Sequence, residues 1–290
     1  LHAARIATEL YPRPQPNNIF QHEAGRVGRP RSLTQPAEQA ATVEAAVERS
    51  GTVIDRRARV TDLDLSLGAG EILGLAGLEG SGVSAALQML GGVVPVRGRL
   101  EVKGRAVFFK HPSQVIAMGV VCMPADRKNG GLWLDRDTSF NISAATVARM
   151  AALRWPRWGS LDAAVATRMI QVGVRANALH ELAGRLSGGN QQRIWLGRML
   201  ESRPCVVLQN DFTRGVGVQA KAAIHGLVRT LADSGMAICI TSSDFEELLD
   251  VADRIICMRA RRIVANRPSG DFDKVSLLTM VAAPINTVAT

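Results

Sequence analysis

Leu186-Ser187-Gly188-Gly189-Asn190-Gln191-Gln192-Arg193 opens a run whose apolar spacing is that of a helix, continuing to Leu200. Ser187 stands where an N-cap belongs, and the two glycines after it leave backbone N–H groups uncovered by side chains. A hydroxyl beside free N–H donors, at the positive end of a helix dipole, suits a terminal phosphate. A plain N-cap after a glycine turn accounts for Ser187, but not for the whole Gly-Gly-Asn-Gln-Gln string.

Short apolar runs and helical stretches alternate outward from this segment in both directions. Downstream, the pattern predicts a strand over 205–208, a helix over 219–231, a strand over 236–240 and a helix over 245–249. Two strands, over 254–258 and 262–265, close it. Upstream it predicts helices over 161–172 and 139–152, a buried strand over 119–123 and a hairpin over 100–107. A helix over 84–90 and a compact buried strand over 71–76 precede these, after a half-buried strand marked by Val60, Leu63, Leu65 and Leu67. Strands separated by helices argue for an α/β domain with a largely parallel sheet. No internal repeat is visible.

The strand ending at Ala76 runs into Gly77-Leu-Glu-Gly80-Ser-Gly82-Val83-Ser84, which opens the next helix. Strand, glycine-rich turn and helix N-terminus make a phosphate-binding loop in outline, in which backbone N–H groups converge on phosphate oxygens. Gly77, Gly82 and Ser84 match the pattern G-x-x-x-x-G-K-[ST], but Val83 stands in place of the lysine. A valine supplies no charge to the β- and γ-phosphates, whereas the backbone cradle and the Ser84 hydroxyl remain.

Residues 186–193 resemble the signature of ATP-binding cassettes of ABC transporters, in the LSGGNQQ form of sugar-import ATPases. The resemblance extends over residues 41 to about 270. Gly70-Glu71-Ile-Leu-Gly-Leu-Ala-Gly77 is similar to the family's lead into the phosphate loop. Pro124-Ala125-Asp126-Arg127-Lys128-Asn-Gly-Gly131-Leu132 resembles the P-x-D-R-K-x-x-G-L segment of second cassettes, in the Q-loop region that faces the membrane subunit. Thr213-Arg214-Gly215 resembles the stretch after the Walker B strand, and Thr241-Ser-Ser-Asp244-Phe-Glu-Glu-Leu248 the switch segment. Glu9-Leu-Tyr-Pro12 is similar to the tail that joins a first cassette to a second.

The resemblance implies a P-loop NTPase of the ABC type: a mainly parallel sheet core, an antiparallel β subdomain and a helical signature subdomain over about 135–200. It implies ATP and Mg²⁺ as cofactors, with Gly77, Gly80, Gly82, Val83 and Ser84 in the nucleotide site and Ser84 as a possible Mg²⁺ ligand. Asp126, Arg127 and Lys128 would occupy the Q-loop region. Two cassettes face each other in this family, so Ser187, Gly188, Gly189 and Gln191 would contact nucleotide held by a partner cassette. The other implied partners are a membrane permease and, indirectly, a periplasmic or extracellular sugar-binding protein. The implied location is the cytoplasmic face of the cell membrane, reached through the permease.

Several positions depart from a working ATPase. Read back from Thr213-Arg214-Gly215, the Walker B aspartate is Asn210 and the catalytic glutamate is Asp211, one methylene shorter. A displacement of about 1 Å in a reacting group can cost about 10²-fold in rate. Gly217 holds the D-loop aspartate position and Asp244 that of the switch histidine. No aromatic residue between 41 and 65 is available to stack on adenine. The expectation is a cassette whose own site is inactive or very slow and whose signature completes a partner's site. The alternative is a catalytically inactive pseudo-ATPase with a scaffold or regulatory role.

Composition fits these readings. The 290 residues are 47% hydrophobic and 21% charged, enough apolar material for a sizeable core. No run approaches the roughly 18 uninterrupted apolar residues of a membrane span. The net charge of +9 is spread along the chain and only 4% of residues are aromatic, so no nucleic-acid platform is expected. Cys122, Cys205, Cys239 and Cys257 sit singly in apolar runs and read as small buried hydrophobes. Coiled-coil or charged inserts, which would suit a soluble ABC protein of translation or repair, are not seen. Residues 1–40 are Pro-rich and polar and read as a linker or tail from a preceding cassette, 41–270 as the cassette, and 271–290 as a C-terminal tail.

Overall fold

The computed structural model describes residues 43–47, 60, 63–94, 98–106, 111–123, 125–126, 130–151 and 158–283. The expected linker over 1–40 and the Q-loop residues Arg127 and Lys128 lie outside them.

Two sheets carry the architecture. The smaller is antiparallel, in the order β2 (Leu63–Leu67), β1 (Val43–Val47), β4 (Gly98–Val102), β5 (Arg105–Ala106). Leu63, Leu65 and Leu67 point inward while Asp64 and Ser66 face solvent, the period-2 pattern of a strand with one buried face. Strand β1, Val-Glu-Ala-Ala-Val, pairs with both β2 and β4. Sequence reading passes over it because small alanines leave little apolar alternation.

The larger sheet has six strands, ordered β10 (Arg262–Pro268), β9 (Arg254–Arg259), β3 (Ile72–Ala76), β8 (Ala237–Thr241), β7 (Val206–Gln209), β6 (Val120–Met123). Only β10 runs antiparallel to its neighbour. Strands β3, β7 and β8 are buried at every residue, as parallel strands covered on both faces are. Arg254 ties the two sheets: its guanidinium donates to Glu71 Oε1 at 2.7 Å and to the Ser66 carbonyl at 2.6 Å.

One face of the large sheet packs on helix α1 (Val83–Leu90) and the antiparallel sheet, through Leu73, Leu75, Leu87, Leu90, Leu100 and Leu208. The other face receives α6 (Val218–Asp233), α7 (Phe245–Val251) and α8 (Lys274–Ala282), through Ile224, Val228, Leu248, Val251, Leu277 and Val281. Helix α8 lies within the stretch expected as a tail. A capping box between Asp273 and Ser276 starts it, and Leu277 and Val281 fix it to the core.

A third cluster is helical. Helices α3 (Thr138–Ala151), α4 (Trp158–Gln171) and α5 (Gly188–Glu201) close around Ile142, Met169, Ile194 and Trp195, against Val121 and Met123 of β6. Short α2 (Pro112–Ala117) precedes β6, with proline at its first turn. The expected α/β arrangement is present in its three parts: parallel core, antiparallel sheet and helical region around the signature helix.

Candidate functional site

Strands β3, β8 and β7 run parallel side by side, so the segments that follow them leave one edge of the sheet together. Crevices at the carboxyl ends of such strands are where open α/β sheets bind ligands. From β3 comes the glycine turn, from β7 Asn210 and Asp211, and from β8 Ser242 to Asp244.

The turn has the backbone of a phosphate loop. Gly80 (φ +81°) and Gly82 (φ +102°) are left-handed, where a side chain is strained. At Gly77 a Cβ would lie 2.4 Å from Ser81 Oγ and 2.8 Å from the Met258 carbonyl, so only glycine fits. Helix α1 starts with no side chain capping it and no acidic residue in its first turn, which leaves its N-terminal donors to a ligand. Val83 is 8% exposed and packs into the core cluster beneath the loop. Its methyl sits 2.8 Å from the Cβ position at Gly77. The expected lysine position thus adds apolar packing and no charge.

Asn210 sits across from Ser84. The Thr241 hydroxyl accepts from the Asp211 backbone N–H (2.8 Å) and gives its own proton to Asn210 Oδ1 (2.8 Å). That bond orients the amide, so Nδ2 faces Ser84 Oγ at 3.5 Å. Magnesium needs oxygen ligands, normally with a carboxylate. Here a neutral amide presents a donor to the one hydroxyl that would ligate it, so these groups do not make a magnesium site.

Asp211 is also turned elsewhere. It holds a left-handed backbone (φ +49°), and its Oδ1 accepts from the Ser243 backbone N–H (3.2 Å) and hydroxyl (3.1 Å). Its other oxygen lies 3.8 Å from Arg214 Nε. Asp244 pairs with Lys221 of α6 at 3.2 Å. Desolvation pushes its carboxyl up, but Lys221 and the helix backbone outweigh this and leave it below its usual value. Gly217 is the N-cap of α6, with open space where a side chain would be.

A buried polar hub missing from the sequence reading lies behind these residues. Glu247 of α7, 3% exposed, accepts through Oε1 from Thr213 Oγ1 (2.5 Å) and through Oε2 from Ser242 Oγ (2.5 Å). His225 Nε2 of α6 also meets Oε1 at 2.7 Å. Burial alone pushes this carboxyl up, but the hydrogen bonds from His225, Ser242 and Thr213 together hold it below its usual value. In the sequence Thr213 and Ser242 are only motif letters, and their common partner is visible only where three chain segments meet.

Ser187 caps α5 as expected: it is exposed, and its Oγ accepts from the Asn190 backbone N–H at 3.4 Å. Gly188 is half-buried. Gly189 is buried against α6, where a Cβ would lie 2.7 Å from Ala220 Cβ. Gln191 corrects the expectation of a nucleotide contact. It is 5% exposed and its amide donates inward to the Ala183 (3.0 Å) and Leu186 (3.1 Å) carbonyls, which steadies the turn before the helix.

Arg198 of the same helix donates to the Gly131 carbonyl and lies 4.8 Å over the Trp133 ring. Desolvation pushes its guanidinium down to about 10. It links the signature helix to the segment after exposed Asp126. Among the described residues no helix is long and apolar enough to cross a membrane, and no group of three His, Cys, Asp or Glu side chains is placed to hold a metal.

This geometry has close counterparts. The ABC transporter family profile matches residues 60–213. The chain is 37% identical over 212 residues to a ribose import ATP-binding protein of Burkholderia pseudomallei, covering 71% of this chain and 40% of that protein. It is 35% identical over 230 residues to a galactofuranose transporter ATP-binding protein of Escherichia coli, covering 79% and 46%. The chain thus spans less than half the length of the curated relatives it matches. Among solved structures, an ATP-binding cassette of an ABC transporter in its ADP conformation superposes with a TM-score of 0.67 at 18% identity, covering 86% of this chain and 96% of that one. With its fold matched by that cassette and more than half its length matched by the profile, the chain belongs to the ABC transporter family.

Proposed function

We propose that this chain is the ATP-binding, second-cassette part of a sugar-type ABC importer, coupling ATP binding and hydrolysis to uptake of a small carbohydrate. In this reading its own site holds nucleotide and turns it over very slowly or not at all. Its signature, through Ser187, Gly188 and Gly189, completes a site on a partner cassette. That cassette is fused upstream or joined in trans, and it supplies the magnesium-dependent chemistry. The sugar-import names of the relatives support the substrate class. The permease and the extracellular sugar-binding protein are the further partners, and the cytoplasmic face of the membrane is where the assembly works.

One contrast carries the reading. Ser187 is exposed and poised as a helix cap, whereas the chain's own site has a buried valine at position 83 and an amide donor against Ser84. A donor half needs the first and not the second.

ATP hydrolysis by the chain alone, and by the chain mixed with an intact cassette of a sugar importer, tests this. We expect no sustained turnover alone and turnover in the mixture above that of the intact cassette by itself. Sustained turnover by the chain alone would overturn the division of labour. The scaffold reading is favoured by the same two substitutions, and it requires the opposite result in the mixture: no stimulation at all.

A further inference from the structure

The hairpin between β9 and β10 turns in two residues, Ala260 and Arg261, since Arg259 and Arg262 are paired partners. Both turn residues are left-handed, with φ of +45° and +68°. A turn of this kind favours Asn and Gly, and an arginine there is held against its own backbone preference. Such an outlier points toward function when its surroundings give it one.

Here the surroundings are the phosphate loop. The Arg261 backbone N–H donates to the Ser81 carbonyl at 2.7 Å. Its Cα lies 3.0 Å, and its Cβ and Cγ each 3.4 Å, from the position a Cβ would take on Gly82. The first half of the side chain therefore lies along the loop one residue before the valine that replaced the lysine. In that loop Ser81 Oγ is buried and has no protein partner, and α1 begins uncapped. The open helix N-terminus is a set of donors that the protein leaves unanswered, and phosphate oxygens would answer it.

We propose that Arg261 is the cation of this nucleotide site, so that the phosphates are held by the loop backbone and a guanidinium from the neighbouring hairpin, without magnesium. The inference rests on reading Gly77–Ser84 as the nucleotide's phosphate loop. Arginine suits the task because its planar fork binds two phosphate oxygens at once and stays charged at every working pH. Arg261 already interacts within the chain, and nucleotide exchanges that interaction for phosphate. The missing carboxylate at position 210 fits the same logic: with no metal to hold, an amide that steadies Ser84 and Thr241 is enough.

Calorimetric titration of ATP into the folded chain, once in EDTA and once in excess Mg²⁺, tests this with three variants. Wild-type affinity should be the same in both buffers. Arg261→Gly should weaken ATP by about tenfold or more in either buffer, the usual loss for a charge-assisted phosphate contact. It should unfold no more easily than wild type, because glycine relieves the left-handed turn. Arg261→Gln, which keeps the length and the strain but not the charge, should lose affinity to the same extent. Arg262→Ala, which removes the adjacent charge, should bind as wild type does. Wild-type affinity in either arginine-261 variant, or wild-type binding that vanishes in EDTA, would overturn the inference and leave the nucleotide site standing. No ATP binding by folded wild type would remove both.

Discussion

Three residues at the edge of the sheet set the chemistry of the site. Val83 packs into the core, Asn210 bridges Thr241 and Ser84, and Asp211 is drawn to Ser243 and Arg214. Each of these side chains has local partners. Gln209 has not. It is 1% exposed at the end of β7, and neither its amide nitrogen nor its oxygen has a partner. A buried polar group left unanswered costs about 1–3 kcal/mol. Gln209→Leu should therefore raise unfolding stability by about that amount, read from the denaturant midpoint. An unchanged or lowered midpoint would mean that the amide is satisfied in solution. The motif letters were legible in sequence because glycines and hydroxyls at fixed spacing follow from backbone geometry. The hairpin arginine was not, because its contact with Gly82 bridges segments about 180 residues apart and depends on the left-handed turn.

The elements around the site are held by the carboxylate of Glu247, which joins α7 to the loop after β7, to the end of β8 and to α6. The sign of its pH dependence follows from its lowered pKa. A carboxyl held below its unfolded value of 4.5 adds stability above that pH and loses it as pH falls through the folded value. Glu247→Gln should cost about 1.5–3 kcal/mol at neutral pH, the worth of hydrogen bonds to a charged group. The gap from wild type should narrow as pH drops below 4.5. Denaturant unfolding of both proteins across that range checks it, and a gap that stays constant with pH would show that the charge plays no part. Strands β3, β7 and β8 could be read from sequence because full burial makes them unbroken apolar runs. Strand β1 and helix α8 were harder. The first is alanine-rich, and the second buries only Leu277 and Val281 while Val275 and Leu278 stay exposed.

On the scale of the whole molecule, the sheet core presents the edge with the glycine turn and the helical region presents Ser187. The two features differ in sequence: Val83 and Asn210 stand at the edge, and Leu186 to Arg193 carries the full signature string. Arg198 couples the signature helix to the segment after Asp126 through the Gly131 carbonyl and the Trp133 ring. Motion of the helical region would thus reach the segment after Asp126 through packed contacts. The chain matches less than half the length of its curated relatives, and the role proposed for it is to donate its signature to a second cassette. The most direct test of that role is ATP turnover by this chain assembled with an intact cassette, comparing Ser187→Arg with Asp211→Asn in this chain. Ser187→Arg should bring turnover down to that of the intact cassette alone, and Asp211→Asn should change the excess by less than about threefold, because this carboxylate takes no part in the transition state. An excess over the intact cassette that survives Ser187→Arg, or is lost with Asp211→Asn, would contradict the account.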